Sequence, residues 1–220
     1  MNLQAKLLER FLRYVAVTSQ SNAAVKTVPT TSGQRELAEL LKTELAELGL
    51  VDLEISEFSV LTGKLPANLP AGHHAVPAVG WVAHLDTVDV CLNADIHPHV
   101  IANYQGGDIC LNEEKQIFLK VSEHPEIEKY IGQDIVVSDG TSVLGADDKA
   151  AIANIMVALE TLANDKTIYH GDIYVCFVPD EEIGLLGAKA IDFEKFPVDF
   201  AYTIDCCEQG EVVYETFNAG

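Results

Sequence analysis

The sequence predicts an α/β protein built on a largely parallel or mixed sheet. Three observations carry this. Apolar residues recur at helical spacing near residues 3–15, 32–48 and 148–163. Continuous apolar runs at 78–85 and 172–178 have the character of strands buried on both faces. Helical and strand-like segments alternate from one end of the chain to the other.

The first helix rests on Leu3, Leu7, Leu8, Phe11, Leu12 and Val15. Lys6, Glu9 and Arg10 among them make it amphipathic, unlike a signal peptide. Residues 18–31, rich in Ser, Thr and Asn, read as a loop. Ser32 is a candidate N-cap for a second helix carrying Leu37, Leu40, Leu41, Leu45 and Leu48, which Gly49 ends. Residues 51–60 alternate as a strand, and the Pro-containing stretch 61–77 reads as turns. The buried strand 78–85 follows.

Residues 86–145 are the least regular, with long loops and short strands. The runs 135–138 and 143–144 flank Asp139-Gly140 and predict a hairpin. Ile152, Ile155, Met156 and Leu159 form the stripe of the third helix. A short helix is expected at 185–191, a short strand at 200–204 and a strand-like segment at 211–217. Such a strand close to Gly220 leaves no helix behind it, which suggests a truncated domain.

Hydrophobic residues make up 48% of the 220, enough to build a core. The net charge of −20 argues against nucleic acid or an anionic membrane as partner, because the phosphate field would repel the chain. The five cysteines are odd in number and lack Cys-x-x-Cys spacing, so they suit a reducing compartment rather than a disulfide framework. No apolar stretch has the length of a membrane span. The expectation is a cytoplasmic protein.

The chemistry concentrates where strands end, the place where open α/β sheets build their sites. His84-Leu85-Asp86 closes one strand, Glu181-Glu182 follows another and Asp205 a third. Asp147-Asp148 opens the long helix. A helix-opening Asp is an ordinary N-cap, and Asp148 is given that role. Two adjacent glutamates repel each other, and a cation relieves the repulsion. One His among carboxylates suits Zn²⁺, Mn²⁺ or Co²⁺ better than Ca²⁺. Asp86, two residues beyond His84, can hydrogen-bond the imidazole and fix its tautomer.

The motifs His84-Leu85-Asp86-Thr87, Gly145-Ala146-Asp147-Asp148-Lys149, Asp180-Glu181-Glu182-Ile183-Gly184 and Tyr202-Thr203-Ile204-Asp205 resemble, in order and approximate spacing, the M20 family of dizinc peptidases. The likeness extends to Leu7-Leu8-Glu9-Arg10-Phe11, Leu65-Pro66-Ala67-Asn68, Gly106-Gly107-Asp108-Ile109 and Phe217-Asn218-Ala219.

The resemblance implies a zinc-peptidase-like mixed sheet with flanking helices. It implies a metallo-aminopeptidase that releases the N-terminal residue of tripeptides. His84, Asp147, Glu182 and Asp205 would hold two Zn²⁺ ions, with Co²⁺ or Mn²⁺ also suited, and Asp147 would bridge them. Asp86 would orient His84, and Glu181 would be the general base acting on the bridging water. Short peptides would be the partners, and the full-length protein could be a homodimer.

The resemblance also implies that residues 1–220 are the N-terminal portion of a catalytic domain, without its lid and distal histidine ligand, and weakly active or inactive alone. His97-Pro98-His99 is the best internal substitute for that ligand, though its plainer reading is a loop. Cys206-Cys207 stand where the family would carry small residues. The alternatives are an M20 enzyme of other specificity (dipeptidase, carboxypeptidase or N-deacylase) and a non-catalytic metal-binding remnant.

Overall fold

The computed structural model describes residues 2–72, 74, 76–206 and 210–213. Its centre is a mixed sheet of five strands: β1 (Val51–Ile55), β2 (Leu61–Leu65), β3 (Val79–His84), β8 (Ile173–Val178) and β9 (Phe200–Thr203). They are ordered β1-β2-β8-β3-β9. β1, β2 and β8 pair antiparallel, while β8, β3 and β9 run parallel. The predicted α/β class is borne out.

Helices α1 (Leu3–Val15), α2 (Ser32–Glu47) and α3 (Ala146–Asn164) cover one face of this sheet. Phe11, Tyr14, Leu37, Leu41, Leu45, Ile152, Met156 and Leu159 meet Leu61, Ala83, Val175 and Phe177 in one core. The alternation of β8 explains the two-sided burial. Ile173, Val175 and Phe177 face the helices, while Cys176 and Val178 face the opposite side. There Phe196, Ile191 and Val198 pack on them. An ion network ties the helices together, with Arg10 reaching Glu44 at 2.5 Å and Glu160 at 2.9 Å.

Between β3 and α3 lie two small antiparallel pairs. β4 (Pro98–Ile101) pairs with β7 (Ile135–Ser138), and β5 (Ile109–Asn112) with β6 (Ile117–Leu119). Tyr104, Ile109 and Ile127 give this insertion its own core.

Several expectations are corrected. The stretch read as turns contains β2, an interior strand. At Gly63 of this strand Leu53 fills the space, since a Cβ there would sit 2.5 Å from Leu53 Cδ2. The hairpin around Asp139-Gly140 does not form, because β7 pairs with the distant β4. Pro98 and His99 therefore lie in a strand rather than a loop. The strand expected over 51–60 stops at Ile55, and Ser59 beyond it has φ 64°.

The helix expected at 185–191 is only a 3-10 turn at Ala188–Ala190. The N-cap of α2 is Thr31, whose hydroxyl donates instead to the Gln20 carbonyl at 2.8 Å. Of the segment 211–217, residues 211–213 are not strand, and the remainder lies outside the described residues, as do Cys207 and Phe217-Asn218-Ala219. Among the described residues no helix is long and apolar enough to cross a membrane.

Candidate metal centre

Parallel pairing decides the site. Because β8, β3 and β9 are adjacent and parallel, their carboxyl ends lie in one row at one sheet edge. His84 is the last residue of β3 and sits opposite Val178, the last of β8. The chain leaving β8 turns at once into Glu181 and Glu182. β9 runs on beside β3, with the Ile204 N–H donating to the Val82 carbonyl at 2.9 Å, so Asp205 emerges beside His84.

Asp147 comes from the start of α3. Asp147 (φ −78°, ψ 105°) and Asp148 (φ −117°, ψ 18°) are not helical, so the regular helix begins after them. The chain enters through Gly145 at φ 72°. A Cβ there would meet Ile96 Cδ1 at 2.8 Å and Thr87 Cγ2 at 3.1 Å, so the close approach needs glycine.

The structure brings all the expected residues together. Nitrogen and carboxylate atoms of His84, Asp147 and Asp205 lie within 4.8 Å of one another, and so do those of His84, Glu181 and Glu182. His84 is the shared member of both groups. Its Nε2 is 2.8 Å from Asp147 Oδ1. Its Nδ1 lies 3.0 Å from the Asp86 carbonyl and 3.3 Å from Asp86 Oδ1. Asp86 thus holds Nδ1, which leaves Nε2 facing the carboxylates. The nearer acceptor is the carbonyl, because the Asp86 carboxylate also takes the N–H groups of Glu181 at 2.9 Å and Glu182 at 3.2 Å.

Asp148 is corrected. Its Oδ2 accepts the His84 backbone N–H at 2.9 Å, which pins the end of β3 to the start of α3. It is a buried anchor rather than a simple helix cap.

The charges are badly balanced without a cation. Burial pushes Asp148 up to about 8 against the pull of His84. Burial and the charge of Asp147 push Glu182 up to about 7. Glu181 and Asp205 are raised too, by burial first and then by neighbouring carboxylates. Asp147 alone is lowered, by its contact with His84. Burial opposes a charge on His84, but its contacts with Asp147 and Asp86 outweigh that and push it up to about 11. Crowded carboxylates around one imidazole are a donor set that suits divalent first-row metal ions, and such an ion would take the place of a proton between them.

Lys149 and Asp180 stood in the quoted motifs without a role, and Gln34 was not singled out at all. Lys149 is fully buried and donates from Nζ to the Val17 carbonyl at 2.7 Å. Burial pushes it down to about 7, with Asp86 pulling the other way. Its place on the same stripe as Ile152 and Met156 was the signal for its burial. Asp180 is also fully buried, bonded to Thr30 and Gln34. Gln34 was simply one polar residue of a helix.

His97 and His99 are in neither ligand group among the described residues. Cys206 is exposed, and its thiol lies 3.2 Å from Glu211 Oε2.

Residues 144–220, which carry Asp147, Glu181, Glu182 and Asp205, match Peptidase family M20/M25/M40. The resemblance to the M20 peptidases is borne out, and within them it is to peptidase T. The chain is 55% identical over 217 residues to a peptidase T-like protein of Yersinia pestis, covering 99% of this chain and 51% of that one. It is 45% identical to a peptidase T of Clostridium novyi, over 97% of this chain and 51% of the relative. The chain thus spans about half the length of the curated relatives it matches.

Among solved structures, an aminopeptidase PepT from Bacillus cereus superposes with TM-score 0.62 at 27% identity, covering 92% of this chain and 43% of that one. A tripeptidase from Staphylococcus aureus gives 0.64 at 25% identity, covering 93% and 44%.

Proposed function

We propose that this chain carries the metal-binding and proton-transfer centre of an aminopeptidase that releases the N-terminal residue of tripeptides. One observation carries the reading: His84 is grouped with Asp147, Asp205, Glu181 and Glu182, its Nε2 against Asp147 and its Nδ1 against Asp86. The relatives named peptidase T and the solved tripeptidase supply the substrate class.

In this reading His84 and Asp205 would hold one Zn²⁺ and Glu182 a second, with Asp147 shared between them and Co²⁺ or Mn²⁺ as substitutes. Bound there, the ions would polarise the scissile carbonyl and lower the pKa of water. Glu181 takes the proton from the attacking water and delivers it to the leaving amine. Burial first, and then the neighbouring carboxylates, raise its pKa, the direction that suits a group that must hold a proton as well as accept one. Asp86 keeps the imidazole in the tautomer that leaves Nε2 free. Residues 1–220 are read as the metal-bearing portion of a catalytic domain. The described cysteines, all free, fit a cytoplasmic location.

The test is the metal content of the purified chain, together with hydrolysis of an unblocked tripeptide by a protein that contains this chain at its relatives' full length. Bound metal and release of the N-terminal residue are expected. A chain that takes up no divalent metal would overturn the reading.

A further inference from the structure

We propose that Asp180, gripped by Thr30 and Gln34, is a positioning residue that sets where Glu181 and Glu182 stand. This rests on the reading of those two glutamates as base and ligand. Asp180 lies just beyond β8, after Pro179, and has φ 53°, a left-handed conformation that non-glycine residues rarely adopt. It bends the chain leaving the strand so that the next two side chains meet His84.

Four hydrogen bonds hold the bend. Asp180 Oδ2 accepts the Thr30 N–H at 2.8 Å. Asp180 Oδ1 accepts the Thr30 hydroxyl at 2.5 Å and Gln34 Nε2 at 2.7 Å. The Asp180 N–H donates to Gln34 Oε1 at 2.8 Å. Asp180 and Gln34 are completely buried, so these bonds do not compete with water.

The other half of the site is fixed to the same frame. A Cβ on Gly33 would lie 1.6 Å from the Thr18 carbonyl oxygen, so the first turn of α2 presses on the loop before it. That loop is bonded to the end of β3. The Ser19 hydroxyl donates to the Leu85 carbonyl at 2.7 Å, and the Ser21 N–H to the Thr87 carbonyl at 3.0 Å. The first turn of α2 therefore acts as a common reference for both strand ends, β3 with His84 and Asp86, and β8 with Glu181 and Glu182. Asp180 fixes the glutamate turn from one side, and the Asp86 carboxylate fixes its N–H groups from the other.

The test is amide hydrogen exchange on the metal-free 220-residue chain, by NMR, in Thr30→Val, Thr30→Ser and Gln34→Leu. In Thr30→Val and Gln34→Leu the Glu181 and Glu182 amides should exchange about tenfold faster or more, while the Phe177 amide in β8 stays within about twofold of wild type. Thr30→Ser restores the hydroxyl and should return the two amides to the wild-type rate. Unchanged glutamate amides, Phe177 accelerating in parallel, or Thr30→Ser behaving like Thr30→Val would each overturn the proposal.

Co²⁺ titrated into wild type and Thr30→Val adds a second readout. Different visible spectra are expected, and identical spectra would count against the positioning role. A wild-type chain that binds no Co²⁺ would sink the metal-site reading, while the exchange result, obtained without metal, still decides the role of Asp180.

Discussion

The carboxylate of Asp86 accepts the backbone N–H of Glu181 at 2.9 Å, so the residue behind the imidazole also holds the proposed base. Asp86 is fully buried. Asp86→Ala would leave the partly buried N–H groups of Glu181 and Glu182 without their acceptor. The expected loss is about 2–6 kcal/mol of stability, on the order of 1–3 for each group left without an acceptor. Metal affinity should fall about 10-fold, because the imidazole keeps the backbone carbonyl of residue 86 but loses the carboxylate, and the Glu182 N–H loses its acceptor. Urea unfolding and a metal titration check the two effects, and an unaltered metal affinity would contradict the role of Asp86.

Glu181→Gln separates proton transfer from metal binding. The variant keeps the shape of the side chain and should retain bound metal. Turnover of a tripeptide, in a protein containing this chain at its relatives' full length, should drop about 10²- to 10⁴-fold. Metal content and kcat are the measurements, and unchanged kcat would remove Glu181 from the mechanism.

Metal uptake should release protons. His84, pushed up to about 11, and Glu182, pushed up to about 7, both hold protons near neutral pH in the metal-free chain and must lose them to ligate. Affinity should therefore rise from pH 6 to pH 8. Calorimetry in buffers of different ionisation enthalpy counts the protons directly. A pH-independent affinity with no buffer dependence would be the contrary result.

Lys149 should leave a signature in stability against pH. Its pKa is about 7 in the folded chain against 10.5 for an ordinary lysine, so the unfolded state binds more protons between those values. Its contribution to stability therefore rises with pH across that window and is lost as pH falls toward 7. His84 works in the opposite direction, being raised from 6.5 to about 11, so its contribution is full below 6.5 and fades as pH climbs. The difference between wild type and Lys149→Met isolates the lysine. The variant should gain relative to wild type as pH falls from about 10 to 7, and parallel curves would show that Lys149 is not depressed.

Much of the fold was legible because its signals are local. The stripe of Leu37, Leu41 and Leu45 can face a sheet only as a helix, and the run Val79–His84 can be buried only as an interior strand. β2 was hidden because Gly63 and the nearby prolines look like turn chemistry, and only Leu53, packed over the glycine, shows why a strand tolerates it. The β4–β7 pairing joins residues far apart in the chain, and no local pattern reports a partner at that distance.

For the site, the sequence by itself singled out the candidate side chains: His84, Asp147, Glu181, Glu182 and Asp205 each stand at the end or start of a recognisable segment. That follows from chemistry and periodicity, which are properties of neighbouring residues. Only the tertiary structure decided how they are held. Parallel pairing of β8, β3 and β9 lines up their ends. Asp148 anchors β3 instead of capping a helix, and the two carboxylates Asp86 and Asp180 clamp the glutamate turn from opposite sides. Those roles depend on backbone donors brought from remote parts of the chain, and a donor's direction exists only once the chain has folded.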